Sequence, residues 1–253
     1  MSGKVPVYVI CLDSKWETRG STVCDHFNKC TLISEVNRSP ATVPSDFKLE
    51  DVAHPFAAAT ISKGWTRESV VQLSNPNQIG CTLSHINLWR TCLALQTSII
   101  VAEDDAKPKM LTRRVTDVLN APLSADVVLL QCSNFPFTSV EAEDYSMCKK
   151  VSRFWGTACY YLTPAGAVKL LRHALPVVMH VDAYIEACIF SGLQVYSVPG
   201  CNDQDHSDTT LGHGFSAVLH VTVVRQRMVM GLLLLLSLII VTILVWRLYK
   251  KPK

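Results

Sequence analysis

A short apolar run followed directly by three acidic residues constrains the fold of this chain more than any other feature. Residues 99–102 read Ile-Ile-Val-Ala, and residues 103–105 read Glu-Asp-Asp. The apolar run predicts a buried strand of a parallel sheet, and ligand sites in open α/β sheets lie just outside the carboxyl ends of such strands. Three adjacent carboxylates repel one another unless they face water or a cation. The pattern predicts either an acidic surface turn or a divalent-cation site, because Mg²⁺ is commonly held by one or two carboxylates and substrate phosphates.

Strand-like and helix-like segments alternate through most of the chain. Residues 75–78, Asn-Pro-Asn-Gln, are a typical helix start, with Asn at the N-cap, Pro in the first turn and Gln three residues after the cap. Ser14 and Glu17 have the same capping-box spacing and predict an earlier helix, and Asp182 is predicted to begin a later one. Strand-like runs between the helices, the longest at 154–162 with an interruption at Gly156, predict an α/β fold with a mostly parallel sheet and flanking helices.

The charge of the chain is unevenly distributed. The formal net charge is +3, yet residues 225–253 alone carry six Lys or Arg residues and no acid, so residues 1–224 carry a net charge of −3. No basic stripe appears in that larger part. The charge pattern therefore excludes a protein that binds nucleic acid through its phosphate backbone.

The ten cysteines form no Cys-x-x-Cys pair and no zinc-type Cys/His cluster. Half of them lie in apolar runs, where a thiol behaves as a small buried hydrophobe; these are Cys11, Cys92, Cys132, Cys159 and Cys188. We therefore expect reduced structural cysteines rather than a disulfide framework.

Residues 228–246 contain no charged side chain over 19 positions. As a helix this segment is roughly 28 Å long at ~1.5 Å per residue, close to the ~30 Å thickness of a hydrocarbon core. It predicts one transmembrane helix near the carboxyl terminus. The chain is thus expected to comprise a domain over 1–210, a linker over 211–227, the membrane helix and a short basic tail over 247–253.

The signals for membrane orientation conflict. The amino terminus shows no convincing signal peptide, and cysteines in apolar contexts suit a reducing compartment; both favour a C-terminal anchor with the domain in the cytosol. The end of the tail, Lys-Lys-Pro-Lys at 250–253, resembles a dilysine retrieval signal, and four basic residues follow the helix against two before it, which favours a cytosolic tail. We expect a single-pass protein of the endoplasmic reticulum or another internal membrane, leaning to a cytosolic domain.

Two motifs that follow each other along the chain carry a resemblance to a known family. Residues 78–85 read Gln-Ile-Gly-Cys-Thr-Leu-Ser-His, with Trp-Arg at 89–90, and residues 101–106 read Val-Ala-Glu-Asp-Asp-Ala. This ordered pair resembles glycosyltransferase family 25, which includes bacterial lipooligosaccharide galactosyltransferases and animal procollagen galactosyltransferases. The resemblance covers about residues 5–210, and the loop at 40–74 departs from the usual family pattern. Shorter matches lie at 7–12 with Arg19, 156–162, 166–167 and 181–182.

The resemblance implies a GT-A-like domain that transfers a sugar, galactose or glucose, from a UDP-sugar to a hydroxyl group of a glycan, lipid or protein. Such enzymes use Mn²⁺ or Mg²⁺ to neutralise the departing UDP. The implied metal ligands are Asp104 and Asp105, and His206 either completes the metal shell or is an exposed loop residue. Glu103 either joins the metal ligands or hydrogen-bonds the ribose. The residues implied to bind the donor are Arg19, Ser84, His85 and Glu103.

An inverting transfer needs a carboxylate or a histidine to take the proton of the acceptor hydroxyl. The sequence offers as candidates Asp182, Glu186, Asp203 and Asp205. Asp182 is alternatively a plain helix N-cap, and Ser84 and His85 are alternatively a packed, hydrogen-bonded pair. Two other classes of protein stay open: a non-catalytic relative that binds a glycan or a partner, and a membrane scaffold that presents a surface.

Overall fold

The computed structural model describes residues 4–55, 57–58, 73, 75–133, 140–141 and 148–204. In this part of the chain, eight strands form one sheet in the order β2-β1-β3-β7-β4-β8-β6-β5. The strands are β1 (Val5–Cys11), β2 (Ile33–Pro40), β3 (Ile99–Glu103), β4 (Val127–Gln131), β5 (Val140–Glu141), β6 (Lys149–Val151), β7 (Cys159–Leu162) and β8 (Val195–Ser197).

Six α-helices with defined bounds accompany the sheet in the described residues. They are α1 (Ser21–Asn28), α2 (Leu49–Val52), α3 (Pro76–Leu95), α4 (Leu111–Leu119), α5 (Pro164–Leu171) and α6 (Val181–Phe190). The prediction of a mixed α/β fold with flanking helices is therefore confirmed.

The sheet is mostly parallel in strand direction. β1 pairs in parallel with β2 and β3, and β4 pairs in parallel with β8. β7 runs antiparallel between β3 and β4, and β6 runs antiparallel between β8 and β5. Six of the eight described strands thus share one direction. The reversed strand β7 was not predicted, because an apolar strand reads the same in either direction.

The central strands are buried on both faces, as the continuous apolar runs predict. Ile99, Ile100 and Val101 of β3 are fully buried, and so are Val127 and Val128 of β4. Helix α3 packs against α5, α6 and β3. The core therefore holds the carboxyl end of β3 in place, and the residues that directly follow β3 lie at the edge of the sheet.

The start of helix α3 forms as the sequence predicts. The Asn75 side chain accepts a hydrogen bond from the Gln78 amide, and the Gln78 side chain accepts one from the Asn75 amide. Helix α3 also lies very close to the segment at 41–44. At Gly80 the approach is so close that an added Cβ atom would collide with the carbonyl oxygen of Thr42. Only glycine allows this contact, which brings the segment 41–44 over the sheet edge.

Three predicted boundaries are wrong. No Ser14 capping box forms; Asp13–Lys15 is a 3-10 turn and Trp16–Gly20 a π-helical turn, which lead into α1 without a side-chain cap. His180, not Asp182, is the N-cap of α6. The strand predicted over 154–162 is confined to β7, because the left-handed Gly156 breaks the extended chain before it.

No helix in the described residues combines the length and apolarity needed to cross a bilayer. The predicted transmembrane segment 228–246 lies outside these residues. So do the linker at 211–227, the tail at 247–253, and the candidate site residues Asp205 and His206.

Candidate active site

A cleft of about 240 Å³ opens where β1 and β3 end and the first turns of α3 begin. Its floor is formed by the ends of the two strands and its wall by helix α3 and the segment 41–44. The residues that line it include four of the predicted site residues, Ser84, His85, Glu103 and Asp104, together with Leu12, Thr42, Asn77 and Cys81. The position is the one that the topology of an open α/β sheet predicts for a ligand.

The strand does not continue through all three acidic residues. Glu103 is the last residue of β3, and Asp104 and Asp105 form the turn that follows it. Nη1 of Arg19 lies 3.7 Å from Oδ1 of Asp104, and the Cys11 thiol donates to Oδ2 of the same carboxylate at 3.5 Å. Arg19 and Asp104 are thus brought together although 85 residues separate them in the sequence.

Burial gives these carboxylates unusual proton affinities. Burial raises the pKa of Asp104, and the neighbouring Arg19 opposes that rise. Burial, followed by the charges of Glu103 and Asp104, raises the pKa of Asp105 to about 7. The Oδ1 atom of Asp105 is buried and has no hydrogen-bond partner among the described residues. Mutual repulsion and an unsatisfied carboxylate oxygen are the features that a divalent cation would relieve.

Asp104 and Asp105 therefore fit a metal ion that is held by two carboxylates and completed by phosphate oxygens. The protein alone does not supply a full set of metal ligands in the described residues, which contain no group of three or more His, Cys, Asp or Glu side chains arranged to hold a metal ion. The donor set in this part of the chain thus suits Mg²⁺ or Mn²⁺ bound together with a diphosphate more than an isolated structural ion.

His85 is fixed by a buried chain of hydrogen bonds. Nε1 of Trp89 donates to the Tyr160 hydroxyl at 2.8 Å, and that hydroxyl lies 2.9 Å from Nδ1 of His85. Because the indole N–H can only donate, the Tyr160 hydroxyl oxygen accepts from it. The hydroxyl O–H group is then free to donate to Nδ1 of His85. A neutral His85 ring then carries its proton on Nε2, which lies 3.5 Å from Oε1 of Glu103. The chain from Trp89 to His85 thereby aims an N–H group at the carboxyl end of β3.

Glu103 and Ser84 have defined partners as well. The Thr157 hydroxyl donates to Oε1 of Glu103 at 2.7 Å. The Ser84 hydroxyl donates to the Gly80 carbonyl and accepts from the Thr42 amide, each at 2.8 Å. Ser84 thus tethers the wall segment 41–44 to helix α3. Ser84 and His85 are both buried and hydrogen-bonded, as the packed-pair alternative expects, although each bonds to other residues and not to its neighbour.

The candidate bases lie in three different settings. Asp182 accepts from the Ala183 amide at 2.9 Å and faces the Gly156 amide at 3.4 Å. Glu186, one turn later on α6, pairs with the Arg153 guanidinium at 3.1 Å. Asp203 forms two 3.0 Å bonds with Arg114 and accepts from the Lys109 amide. Asp203 therefore belongs to a largely buried ion pair, in which Arg114 is 6% and Asp203 11% exposed.

Cys81 lines the cleft and lies within electrostatic reach of several predicted carboxylates. Burial raises the pKa of its thiol well above the ordinary value, and the charges of Glu103, Asp182, Asp105 and Asp104 raise it further. The charges of four predicted carboxylates, from the two chain segments at 103–105 and at 182, thus act on one residue of the cleft wall. Tyr160, Thr157 and Arg114 were not predicted as site or support residues. The motif at 156–162 pointed to the first two, whereas Arg114 looks like any helical surface arginine.

The fold and this site define a class of protein: an α/β protein with an acidic, arginine-flanked ligand cleft at the carboxyl edge of its sheet. Comparison with known families identifies it further. The model of glycosyltransferase family 25 (LPS biosynthesis protein) matches residues 6–185, and the chain therefore belongs to this family.

One curated relative and one solved structure are similar over parts of their length. The relative is a Rattus norvegicus protein named "Probable inactive glycosyltransferase 25 family member 3", 29% identical over 139 residues, which cover 52% of this chain and 22% of that protein. The chain thus matches about a fifth of the length of this relative. The structure is mouse xyloside xylosyltransferase 1 in its apo form, with 10% identity, a TM-score of 0.37, and 74% and 68% of the two chains covered.

Proposed function

We propose that this protein transfers a hexose, galactose or glucose, from a UDP-sugar to a hydroxyl group of a glycan, lipid or protein. The observation that carries the proposal is the acidic triplet at 103–105, which ends a buried strand and turns away from it beside a cleft lined by His85 and Ser84. Because the chain belongs to a glycosyltransferase family, we interpret this acidic cleft as the site of sugar transfer.

In this proposal, each residue near the cleft has a distinct task. Asp104 and Asp105 hold Mn²⁺ or Mg²⁺, which supplies charge neutralisation for the departing diphosphate. Arg19 contributes a further positive charge beside Asp104. Glu103 and the Nε2–H group of His85 orient the nucleoside part of the donor. Glu103 ends β3, Asp104 and Asp105 follow it directly, His85 lies on α3, and Arg19 lies on the π-helical turn before α1. These groups are in place before the substrate binds, which is what electrostatic stabilisation requires.

Asp182 is the best candidate for the general base among the described carboxylates. It lies within electrostatic reach of Cys81 in the cleft wall, and its hydrogen-bond partners among the described residues are the backbone amides of Gly156 and Ala183. Glu186 and Asp203 are engaged by Arg153 and Arg114. Of these three described carboxylates, Asp182 is the one that is not paired with an arginine, and we therefore assign to it the acceptance of the proton from the acceptor hydroxyl.

The direct test measures UDP release by the full-length chain. The protein is incubated with individual UDP-sugars, with Mn²⁺ and with a chelator, and free UDP is measured with and without a panel of hydroxyl acceptors. We expect release with UDP-galactose or UDP-glucose that requires the metal. Absence of release with every UDP-sugar, in a folded protein, contradicts the proposal.

The second candidate function is binding without transfer, and the name of the rat relative favours it. A non-catalytic relative that retains the cleft would bind the UDP-sugar and gain thermal stability, yet it would release no UDP. Thermal unfolding and UDP release measured on one preparation therefore separate the two candidates. A membrane scaffold without a ligand site would show neither effect.

We also propose that residues 228–246 anchor the protein in an internal membrane. The support is the uncharged run of 19 residues. Protease treatment of sealed microsomes tests the orientation: digestion of the amino-terminal domain without detergent supports a cytosolic domain, and full protection supports a lumenal one. Extraction of the chain by alkaline carbonate would contradict a spanning helix.

A further inference from the structure

Two thiols outside the cleft lie in direct contact at the ends of neighbouring strands. Cys132 directly follows β4 and Cys201 lies four residues after β8, and their Sγ atoms are 3.3 Å apart. Both cysteines are free thiols, and both are buried. The sequence separation of 69 residues gives no hint of this contact.

The backbones on both sides of this contact are also paired. The Cys132 amide donates to the Cys201 carbonyl at 2.8 Å, and the Gln204 amide donates to the Cys132 carbonyl at 3.2 Å. A parallel bridge between Ser133 and Gln204 continues this pairing. The two Sγ atoms, 3.3 Å apart, are only about 1.3 Å further apart than the ~2.0 Å length of a disulfide bond. Closing the bond therefore requires movement of the sulfur atoms and little movement of the chain.

We propose that Cys132 and Cys201 form a disulfide bond that locks the turn at 200–204 onto the end of β4. This turn carries Asp203, whose ion pair with Arg114 already fastens it to α4. The bond adds a covalent link at the same place. It is a modification site separate from the cleft and independent of the proposed sugar transfer.

The first reacting thiol is Cys201. The residues on either side of it, Gly200 and Asn202, are exposed, whereas Cys132 is fully buried. The hydrogen bond between the two thiols, with smaller contributions from Ser197 and Arg114, lowers the pKa of Cys201. A brief opening of the turn therefore exposes the sulfur that more readily forms a thiolate, which is the attacking species in exchange.

The oxidant is a low-molecular-weight disulfide such as oxidised glutathione. The Cys201 thiolate attacks one of its sulfur atoms, the S–S bond breaks, and one glutathione thiolate leaves. The Cys132 thiolate then attacks the Cys201 sulfur of the mixed disulfide and displaces the second glutathione. Two protein thiols lose two electrons, the glutathione disulfide gains them, and the two released protons go to the two glutathione thiolates.

The test uses the full-length chain in buffers of increasing oxidised-to-reduced glutathione ratio. Free thiols are blocked with N-ethylmaleimide in denaturant, the chain is digested without reduction, and the peptides are analysed by mass spectrometry. We expect one cross-linked peptide pair that joins residues 132 and 201 and a loss of two blocked thiols out of ten. Blocking of both residues across the whole range, or glutathione retained on Cys201 without the cross-link, overturns the proposal.

Two variants and one thermal measurement complete the design. Cys148→Ala removes a buried thiol that bonds the Asp117 carbonyl, and it should leave the cross-link intact. Cys201→Ala should abolish it. The oxidised wild-type chain should unfold about 5–10 °C higher than the reduced one, and the Cys201→Ala variant should show no such shift. A cross-link without a rise in unfolding temperature contradicts the locking of the turn.

Discussion

The Tyr160 hydroxyl lies 2.9 Å from Nδ1 of His85, and this contact determines which nitrogen of the imidazole carries the proton. The Trp89 indole occupies the acceptor side of the same hydroxyl. Tyr160 is fully buried, and burial raises its pKa well above the ordinary value. The phenol therefore stays protonated and acts as a permanent donor to His85.

Replacement of Tyr160 with Phe should affect both stability and donor binding. It leaves the buried Trp89 N–H group and Nδ1 of His85 unsatisfied, which should lower the free energy of unfolding by about 1–3 kcal/mol. It also releases the His85 ring, so the affinity for UDP should fall. Urea unfolding and calorimetric UDP titration measure the two effects. Tyr161→Phe, at a half-buried neighbouring position, is the control; equal effects in both variants would contradict the role of the hydroxyl.

Removal of the charges at Asp104 and Asp105 should abolish metal-dependent activity. The double change Asp104→Asn, Asp105→Asn keeps the side-chain volume and removes the two carboxylates that we propose as metal ligands. We expect UDP release to fall at least about 100-fold. The rise in unfolding temperature caused by Mn²⁺ with UDP should also disappear. Asp25→Asn, on the exposed side of α1, should retain both properties. A metal-induced shift that survives in the double variant places the ion elsewhere.

The proposed base is tested by two carboxylates on one helix. Asp182→Asn should lower kcat by about 10²–10⁴-fold and leave KM for the UDP-sugar nearly unchanged. Glu186→Gln, one turn further along α6, should change kcat only a few-fold because that carboxylate is paired with Arg153. Steady-state kinetics on both variants decide the assignment. The reverse order of effects would assign the base to Glu186.

Asp203 should matter more for stability than for proton transfer. Asp203→Ala leaves the buried Arg114 guanidinium without its carboxylate partner, and we expect a loss of about 3 kcal/mol in the free energy of unfolding. Asp13→Ala, which removes the exposed ion pair with Arg38, should cost less than about 1 kcal/mol. Urea unfolding of the two variants gives the comparison. A loss of kcat at unchanged stability in Asp203→Ala would return Asp203 to the catalytic candidates.

Local sequence patterns predicted the parts of the fold that depend on near neighbours. The capping box of α3 and the buried strand β3 required only the order of residues 75–78 and 99–103. The Ser14 capping box failed because the chain after β1 enters π-helical and 3-10 turns. Local helix propensity cannot predict such a case, because tertiary contacts can outweigh a capping signal in the sequence.

Contacts between residues far apart in the sequence determine the roles of the site residues that the sequence alone could not assign. Asp203 and Asp182 look alike as acidic residues near helix or loop ends, and only the placement of Arg114 distinguishes them. Arg114 lies 89 residues before its partner. Tyr160 lies 75 residues after His85. No periodicity or spacing rule connects residues at such distances, so these contacts required the folded chain.

The placement of β7 between β3 and β4 has a consequence for the order of folding during synthesis. β3 obtains its β1 neighbour from chain that has already been made, but its other neighbour, β7, is made more than fifty residues later. Until then β3 presents an apolar open edge, which is the kind of surface that adds strands from other nascent chains. The acidic turn at its carboxyl end acts as a charged gatekeeper during that interval.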